Sequence, residues 1–531
     1  MTGFQKHYIF LSLILVLSSF PLAVTSSKTE AEALLKWKNS LSSSSNSISS
    51  WSVTNLKNVC NWTGIICYST GTVSEINLFD VNLNGTLAQF NFTSFPFLTR
   101  YNLKNNKLSG SIPFTIGNLS KLAFLDLSFN FFENIIPSEI GWLTELRYLS
   151  LSGNALHGII PYQLSNLQKV WYLNLGSNYL ETPDWSKFSG MPMLTHLDFN
   201  LNELTSEFPE FILICPNLTY LDLSLNHFTG PIPELLFTNL AKLKYLILFS
   251  NSFEGLLSSN ISKLLKLKYL RLGKNQFVGS IPEEIGLVSD LQFIGLYNNS
   301  FQGKIPSSIG QLRKLQTLEL RMNELNSTIP FRLGFCAKLT YLALAKNSLT
   351  GPLPSSLSNL TKISHFYAND NFLSGEILQY FITNWTDLES LSLYNNSFTG
   401  KIPPEIGLLT KLVFLYLYKN HLSGLIPPEI GVLKELVDLD LSENKLLGPI
   451  PPSIWNLAKL RVLHLFDNNL TGTIPPEIGN LTLLTSLDLR HNKLNGELPG
   501  TMSFLANLQR LLLSNNSFTG RIPPEIGNLK F

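Results

Sequence analysis

The sequence predicts an α/β repeat fold, a curved solenoid with a concave parallel β-sheet and a helical cap at its N-terminus. Three observations predict it. The first is a motif, L-x-x-L-x-L-x-x-N, whose Asn returns from Asn106 to Asn516 at steps of 24 residues, with two steps of 25 at Asn226–Asn251 and Asn371–Asn396. An earlier degenerate copy, "VSEINLFDVNLNG", puts Val81 at the Asn position and brings the count to nineteen units. The second is G-x-[IL]-P, whose Pro stands seven residues after that position in fifteen of the nineteen units. The third is a helix-period segment ahead of the repeats, "TEAEALLKWKNSL", with Ala31, Leu34, Leu35, Trp37 and Leu41 on one face.

A 24-residue unit of this kind is a leucine-rich repeat. Each unit contributes one short strand, "LTYLDLS" around Leu221 for example. The period of two turns Leu221 and Leu223 inward and Tyr220, Asp222 and Ser224 outward. A single unit cannot bury its leucines, so stability is a sum over stacked neighbours. The Asn is expected inside, at the end of the strand, where the turning backbone leaves polar groups away from water. Its amide offers a donor and an acceptor to them, and an aliphatic residue there would strand them at about 1–3 kcal/mol each. The Asn column is therefore structural. Gly permits the tight turn that follows, and Pro favours an extended, non-helical segment. The units at Val81, Asn178, Asn251 and Asn371 lack that Pro, and irregularities are expected there on the back of the solenoid.

Residues 1–26 read as a secretory signal peptide, with Lys6 and His7 before an apolar run and small residues after it. Residues 27–72 form the cap and 73–531 the repeats, the last unit incomplete. The secretory route is oxidising, so Cys60 and Cys67 in the cap are expected to pair. Cys215 and Cys336 lie five repeats apart in one column, too far for a bridge, and are expected as buried thiols. Sequons stand at Asn61, Asn84, Asn91, Asn118, Asn217, Asn260, Asn298, Asn326, Asn359, Asn384, Asn395, Asn469, Asn480 and Asn515, as acceptors for glycans. No later run of about 18 apolar residues marks a membrane helix.

Of 531 residues, 44% are hydrophobic and 14% charged, which argues against wholesale disorder. A net charge of +2 gives no reason to expect nucleic acid. Asp126, Asp198, Asp222, Asp440 and Asp488 belong to the repeated "LDL"-type strand pattern rather than to a catalytic set. With no metal-spaced Cys/His cluster, phosphate loop or nucleophile elbow, the expectation is binding without catalysis, cofactor or metal.

The capping helix, "CNWTGIIC" and the G-x-I-P form of the repeat resemble the ectodomains of plant leucine-rich-repeat receptor-like kinases. The wording "LDLSEN", "GPIPPSIWNL" and "IPPEIGNL" looks closest to the Male Discoverer-interacting receptor-kinase subgroup. The resemblance implies the plant-specific repeat type, a small secreted peptide held on the concave face, a repeat-bearing co-receptor, and a location at the outer face of the plasma membrane or in the apoplast. It also implies a membrane helix and kinase. This chain stops at "IPPEIGNLKF" without them, so the expectation is a receptor ectodomain whose membrane link lies in a missing C-terminal region. The alternative is a secreted recognition or defence protein that inhibits a microbial wall-degrading enzyme or acts as a decoy.

The outward positions locate a candidate groove. Six residues before the repeat position stand Phe124, Tyr148, Tyr172, His196, Tyr220, Tyr245, Tyr269 and Phe293 in consecutive units. Two readings coexist: lateral stacking that stiffens the sheet, and an aromatic platform for a peptide. The candidate ligand-binding residues are His196, Asp198, Tyr220, Asp222, Tyr245, Tyr269, Arg271, Tyr297, Glu319 and Arg321. Some family members hold a peptide carboxylate with an Arg-x-Arg pair. Here the strands read "RLG" at Arg271 and "ELR" at Glu319 and Arg321, a departure from that pair. Six of eight histidines are outward (His196, His227, His365, His421, His464, His491), consistent with tolerance at exposed strands or with pH-dependent binding.

Overall fold

The computed structural model describes residues 27–42 and 46–528. The expected signal peptide, residues 1–26, lies outside the described residues. One sheet of 20 strands runs the length of the solenoid. Its first strand, Ile65–Cys67, pairs antiparallel with Val73–Asn77, and from there every pairing is parallel and in register, as in His196↔Tyr220↔Tyr245. The inward leucines, Leu221 and Leu223 among them, are buried in one continuous core, except in the last unit, where Leu511 and Leu513 are half-exposed.

The residue before the Asn adopts positive φ (55° at Leu225), which bends the chain out of the strand and turns carbonyls inward. Asn226 Nδ2 donates to Leu223 O (3.2 Å) and Ser224 O (3.1 Å) in its own unit and to Phe199 O (2.9 Å) in the preceding one. Its Oδ1 accepts from Leu204 N (3.1 Å), also in the preceding unit. The same pattern recurs at Asn106 and at Asn492. The structural role expected of the Asn column is what the hydrogen bonds display.

Beyond the Asn, a second set of short strands such as His227–Pro231 forms parallel sheets of five, six, three and five strands. The Pro then stands extended (Pro282, φ −70°, ψ 141°) and opens one turn of 3₁₀ helix, here Glu283–Leu287. The second strand runs one residue past the Gly, to Ser280 in this unit, and the Pro is the last extended residue before the 3₁₀ turn. Two units carry an α-helix instead, α2 (Glu234–Asn239) and α3 (Gln379–Asn384). These are the two 25-residue steps, and the added residue is absorbed by the wider turn.

Stacked 3₁₀ turns approach closely at the glycine of "IG" or "LG". A Cβ on Gly334 would lie 2.0 Å from Ser356 O, whereas one on Gly527 would meet nothing within 4 Å. Gly334→Ala is therefore expected to destabilise the chain by about 2 kcal/mol, and Gly527→Ala hardly at all. Equal thermal midpoints for the two variants would reject this account of the backbone contact.

The cap is built on α1 (Ser27–Ser40), which buries Ala31, Leu34, Leu35 and Trp37. Trp37 packs on Trp51 and Trp51 on Trp62, with ring centroids 6.2 and 5.8 Å apart. Cys60 and Cys67 are disulfide-bonded. Glu30 is fully buried, and both its carboxylate oxygens accept from Val73 N at 3.1 Å. Cys215 and Cys336 are buried free thiols, and burial pushes both above the usual thiol range, Cys336 to about 11.

Candidate functional site

The concave face is the outward side of the long sheet, and its columns are set by the parallel register. In the first column eight rings form a continuous stack. Phe124, Tyr148, Tyr172, His196 and Tyr220 lie with successive centroids 4.3, 4.4, 4.2 and 4.1 Å apart and planes within 11° of parallel. The stack loosens to 5.5, 4.9 and 6.2 Å through Tyr245, Tyr269 and Phe293. Arg100 closes its start, 3.6 Å over the Phe124 ring. From Phe124 to Tyr220 the ring faces are therefore occupied by one another, and only edges and hydroxyls reach the groove.

The neighbouring carboxylates are recessed as well. Asp222 is buried, with Oδ1 accepting from Ser224 N (2.9 Å) and Ser224 Oγ (2.5 Å) and Oδ2 accepting from Tyr220 OH (3.3 Å). It is an outward position by register, but its charge is enclosed rather than presented, which departs from the ligand contact expected of it. Asp198, half-buried, accepts from Asn200 N and Asn174 Nδ2, and burial beside Asp222 pushes its carboxyl up to about 7. Burial pushes His196 down to about 4, so this ring stays neutral across the range in which a histidine switch would work.

The surface opens further along. Phe249, Arg271, Phe293, Tyr297 and Glu319 line a concave cavity of about 170 Å³. The Arg271 guanidinium lies 4.4 Å over Phe293, and its Nε has no hydrogen-bond partner. Arg321 lies 5.1 Å over Tyr297 and pairs with Glu319 at 2.9 Å. Burial raises the Glu319 carboxyl, and Arg321 opposes that. A carboxylate ligand at Arg321 would compete with Glu319, while Arg271 is not engaged in an ion pair among the described residues.

Two further concave cavities follow, and sequence reasoning missed them. One, of about 320 Å³, is lined by Arg321, Tyr341, Lys346, Tyr367 and Tyr394 among others; the next, of about 390 Å³, by Tyr394, Tyr416, Tyr418, Asp438, Asp440, Val462 and His464. Tyr394 and Tyr418 stack at 4.2 Å, and Tyr416 OH donates to Asp438 Oδ2 at 2.9 Å. A signal was present: outward tyrosines continue past Arg321, but they shift from the first column to the second and third. Of the ten candidate residues, the structure gathers Arg271, Tyr297, Glu319 and Arg321 around cavities. It places His196, Asp198, Tyr220, Asp222, Tyr245 and Tyr269 in the adjoining packed stretch.

Three outward histidines face a carboxylate in the preceding unit: His227 with Glu203 (3.2 Å), His464 with Asp440 (3.3 Å) and His491 with Asp467 (2.7 Å). All fourteen sequon asparagines are exposed or half-exposed. No helix among the described residues is long and apolar enough to cross a membrane, and no group of three His, Cys, Asp or Glu among them could hold a metal ion.

A solenoid with this repeat, this cap and this concave face is of the leucine-rich-repeat class. The family model "Leucine rich repeat N-terminal domain" matches residues 27–68, and "Leucine Rich Repeat" matches twelve segments from 121–143 to 507–529. The chain belongs to the leucine-rich-repeat family of plant receptor ectodomains. It is similar to a plant peptide hormone receptor, RGFR1, solved in complex with RGF2: TM-score 0.71, 35% identity, covering 88% of this chain and 85% of that one. It is also similar to the ectodomain of the Arabidopsis receptor kinase HAESA, solved with an IDA peptide hormone: TM-score 0.69, 31% identity, covering 94% and 95%. Among Arabidopsis thaliana proteins, the receptor-like kinase RGI4 is 42% identical over 98 residues, 18% of this chain and 9% of that protein. MDIS1-interacting receptor like kinase 2 is 38% identical over 115 residues, 21% of this chain and 11% of that protein. The matched segments thus span about a tenth of the length of these relatives.

Proposed function

We propose that this chain is the extracellular peptide-recognition region of a plant receptor, which signals by recruiting a co-receptor and through a kinase that lies beyond this chain. The reading is supported by likeness to receptors solved with peptide hormones, HAESA among them also with the co-receptor SERK1. The observation that carries it is the line of concave cavities opening at Arg271. The Arg271 guanidinium, in no ion pair among the described residues and flanked by Phe293 and Tyr297, is prepared for an acidic or carbonyl-rich ligand segment. The groove we assign runs from His196 to Arg321, with the rings of His196, Tyr220, Tyr245 and Tyr269 as its floor, Asp198 and Asp222 recessed beside them, and Arg271, Tyr297, Glu319 and Arg321 as its contact end. It extends toward Tyr394 and Asp438.

The test is a pull-down of secreted plant peptides on the glycosylated chain, followed by calorimetry with the peptide recovered. Arg271→Ala with Tyr245→Ala and Tyr269→Ala is expected to abolish binding, a loss of at least 100-fold. Unchanged affinity in that triple variant would remove the groove from this stretch.

A further inference from the structure

A second surface lies outside the concave face. The unit after Asn178 reads "YLETPDW", which brings its proline to Pro183, two residues early, and sets Trp185 where fifteen of the nineteen units have Pro. Trp185 packs into the core on Phe188 and Phe211 at 5.0 and 5.5 Å, and Pro183 with Asp184 is left as an end wall. Between this wall and the unit of Phe114 is a cavity of about 700 Å³ on the flank carrying the Pro segments. Its floor is apolar. Phe114, Ile135 and Ile159 are 68%, 61% and 58% exposed in three successive units. Ile135 and Ile159 stand at the x of x-I-P, a position held by serine in the first of these units.

Three features say what covers it. The trough crosses four units, about 14 Å at the strand spacing, a length that suits about four extended residues. Its border is acidic: Glu139 is in the lining, Glu133 pairs in the sheet with the lining residue Ser111 and Glu181 with Ile159, and none of the three forms an ion pair among the described residues. The one lysine in its lining, Lys187, is held by Asp184 at 3.5 Å. Finally, Asn118, at the far end of the 3₁₀ turn that opens at Phe114, is the one sequon in the four units that form the trough, and the lining itself holds none.

We propose that this trough docks an extended segment of a partner protein, with apolar side chains in the floor and basic side chains against the acidic border. It is a second interaction surface, independent of the concave groove. Exposed apolar area of this kind marks interaction sites, and charge complementarity sets the partner's sign.

The experiment uses the secreted, glycosylated chain and two fluorescent heptapeptides, Leu-Phe-Leu flanked by two pairs of lysines or by two pairs of glutamates. The lysine peptide is expected to bind at least tenfold more tightly by anisotropy. Ile135→Asp with Ile159→Asp lowers that affinity at least tenfold. Glu133→Lys with Glu181→Lys inverts the peptide preference. Gln163→Asn, which makes a sequon with Ser165 at the lining, blocks binding through a glycan and leaves the apolar floor intact. Arg271→Ala leaves binding unchanged, which separates this result from the fate of the concave groove. Equal affinity for the two peptides, or binding indifferent to the isoleucine and glycan variants at an unchanged melting temperature, overturns the proposal. Uptake of the dye anilinonaphthalene sulfonate in the trough with neither peptide bound would assign it to a small amphiphile and also overturn it.

Discussion

Asn226→Leu is expected to destabilise the solenoid by about 3 kcal/mol, although the two side chains share the same branched heavy-atom outline. The carbonyls of Phe199 and Leu223 are each bonded by two asparagines, their own unit's and the next one's, so losing Asn226 leaves each with a second partner. Ser224 O likewise keeps Leu201 N. Leu204 N has no such reserve, since its acceptor is Asn226 Oδ1. The variant therefore leaves one buried N–H unpaired and weakens three shared bonds, in a place without water. Hydrogen exchange should rise first in residues 199–226, together with a lower urea midpoint. Wild-type exchange across that stretch would show that the Asn column is not what closes the turns.

The second large effect concerns pH and the cap. Glu30 is enclosed in the cap, and burial pushes its carboxyl up to about 7 from 4.5, against the pull of the Val73 amide. The folded state thus holds a proton that the unfolded chain releases. Its contribution is complete below pH 4.5 and is lost as pH rises through 7. The swing is on the order of 3 kcal/mol. Raising the pH from 5 to 8 is expected to lower the unfolding midpoint of the cap, read by the fluorescence of Trp37, Trp51 and Trp62. Glu30→Gln, uncharged throughout, is expected to flatten that slope and to be the more stable form at pH 8. A slope unaltered in Glu30→Gln would place the pH dependence elsewhere.

Much of the fold was legible because its rules are local to the unit. The strand positions, the buried Asn and the inward leucines follow from one register, and the cap helix follows from the spacing of Ala31, Leu34, Leu35 and Trp37. The α-helices at the two 25-residue steps were not read, although the extra residue that makes them is visible in the count. The second sheets were missed because their pairing joins residues one unit apart with little side-chain pattern to announce it. For the candidate site, Arg271, Tyr297, Glu319 and Arg321 were found from outward position and residue type. Asp222 and His196 illustrate the limit. An outward position says which side of the sheet a residue leaves from, and neighbours 24 residues away decide whether it arrives at solvent. The Tyr394–Tyr418 cavity was passed over because its tyrosines change column between units.

The eight-ring stack also makes the protein an optical instrument. Its phenylalanine and tyrosine rings, on either side of His196, lie 4.3–6.2 Å from their neighbours and have coupled electronic transitions, and the coupling depends steeply on separation and tilt. The concave sheet therefore carries its own near-ultraviolet dichroism signal, sensitive to a small parting of adjacent strands while the leucine core behind them remains intact.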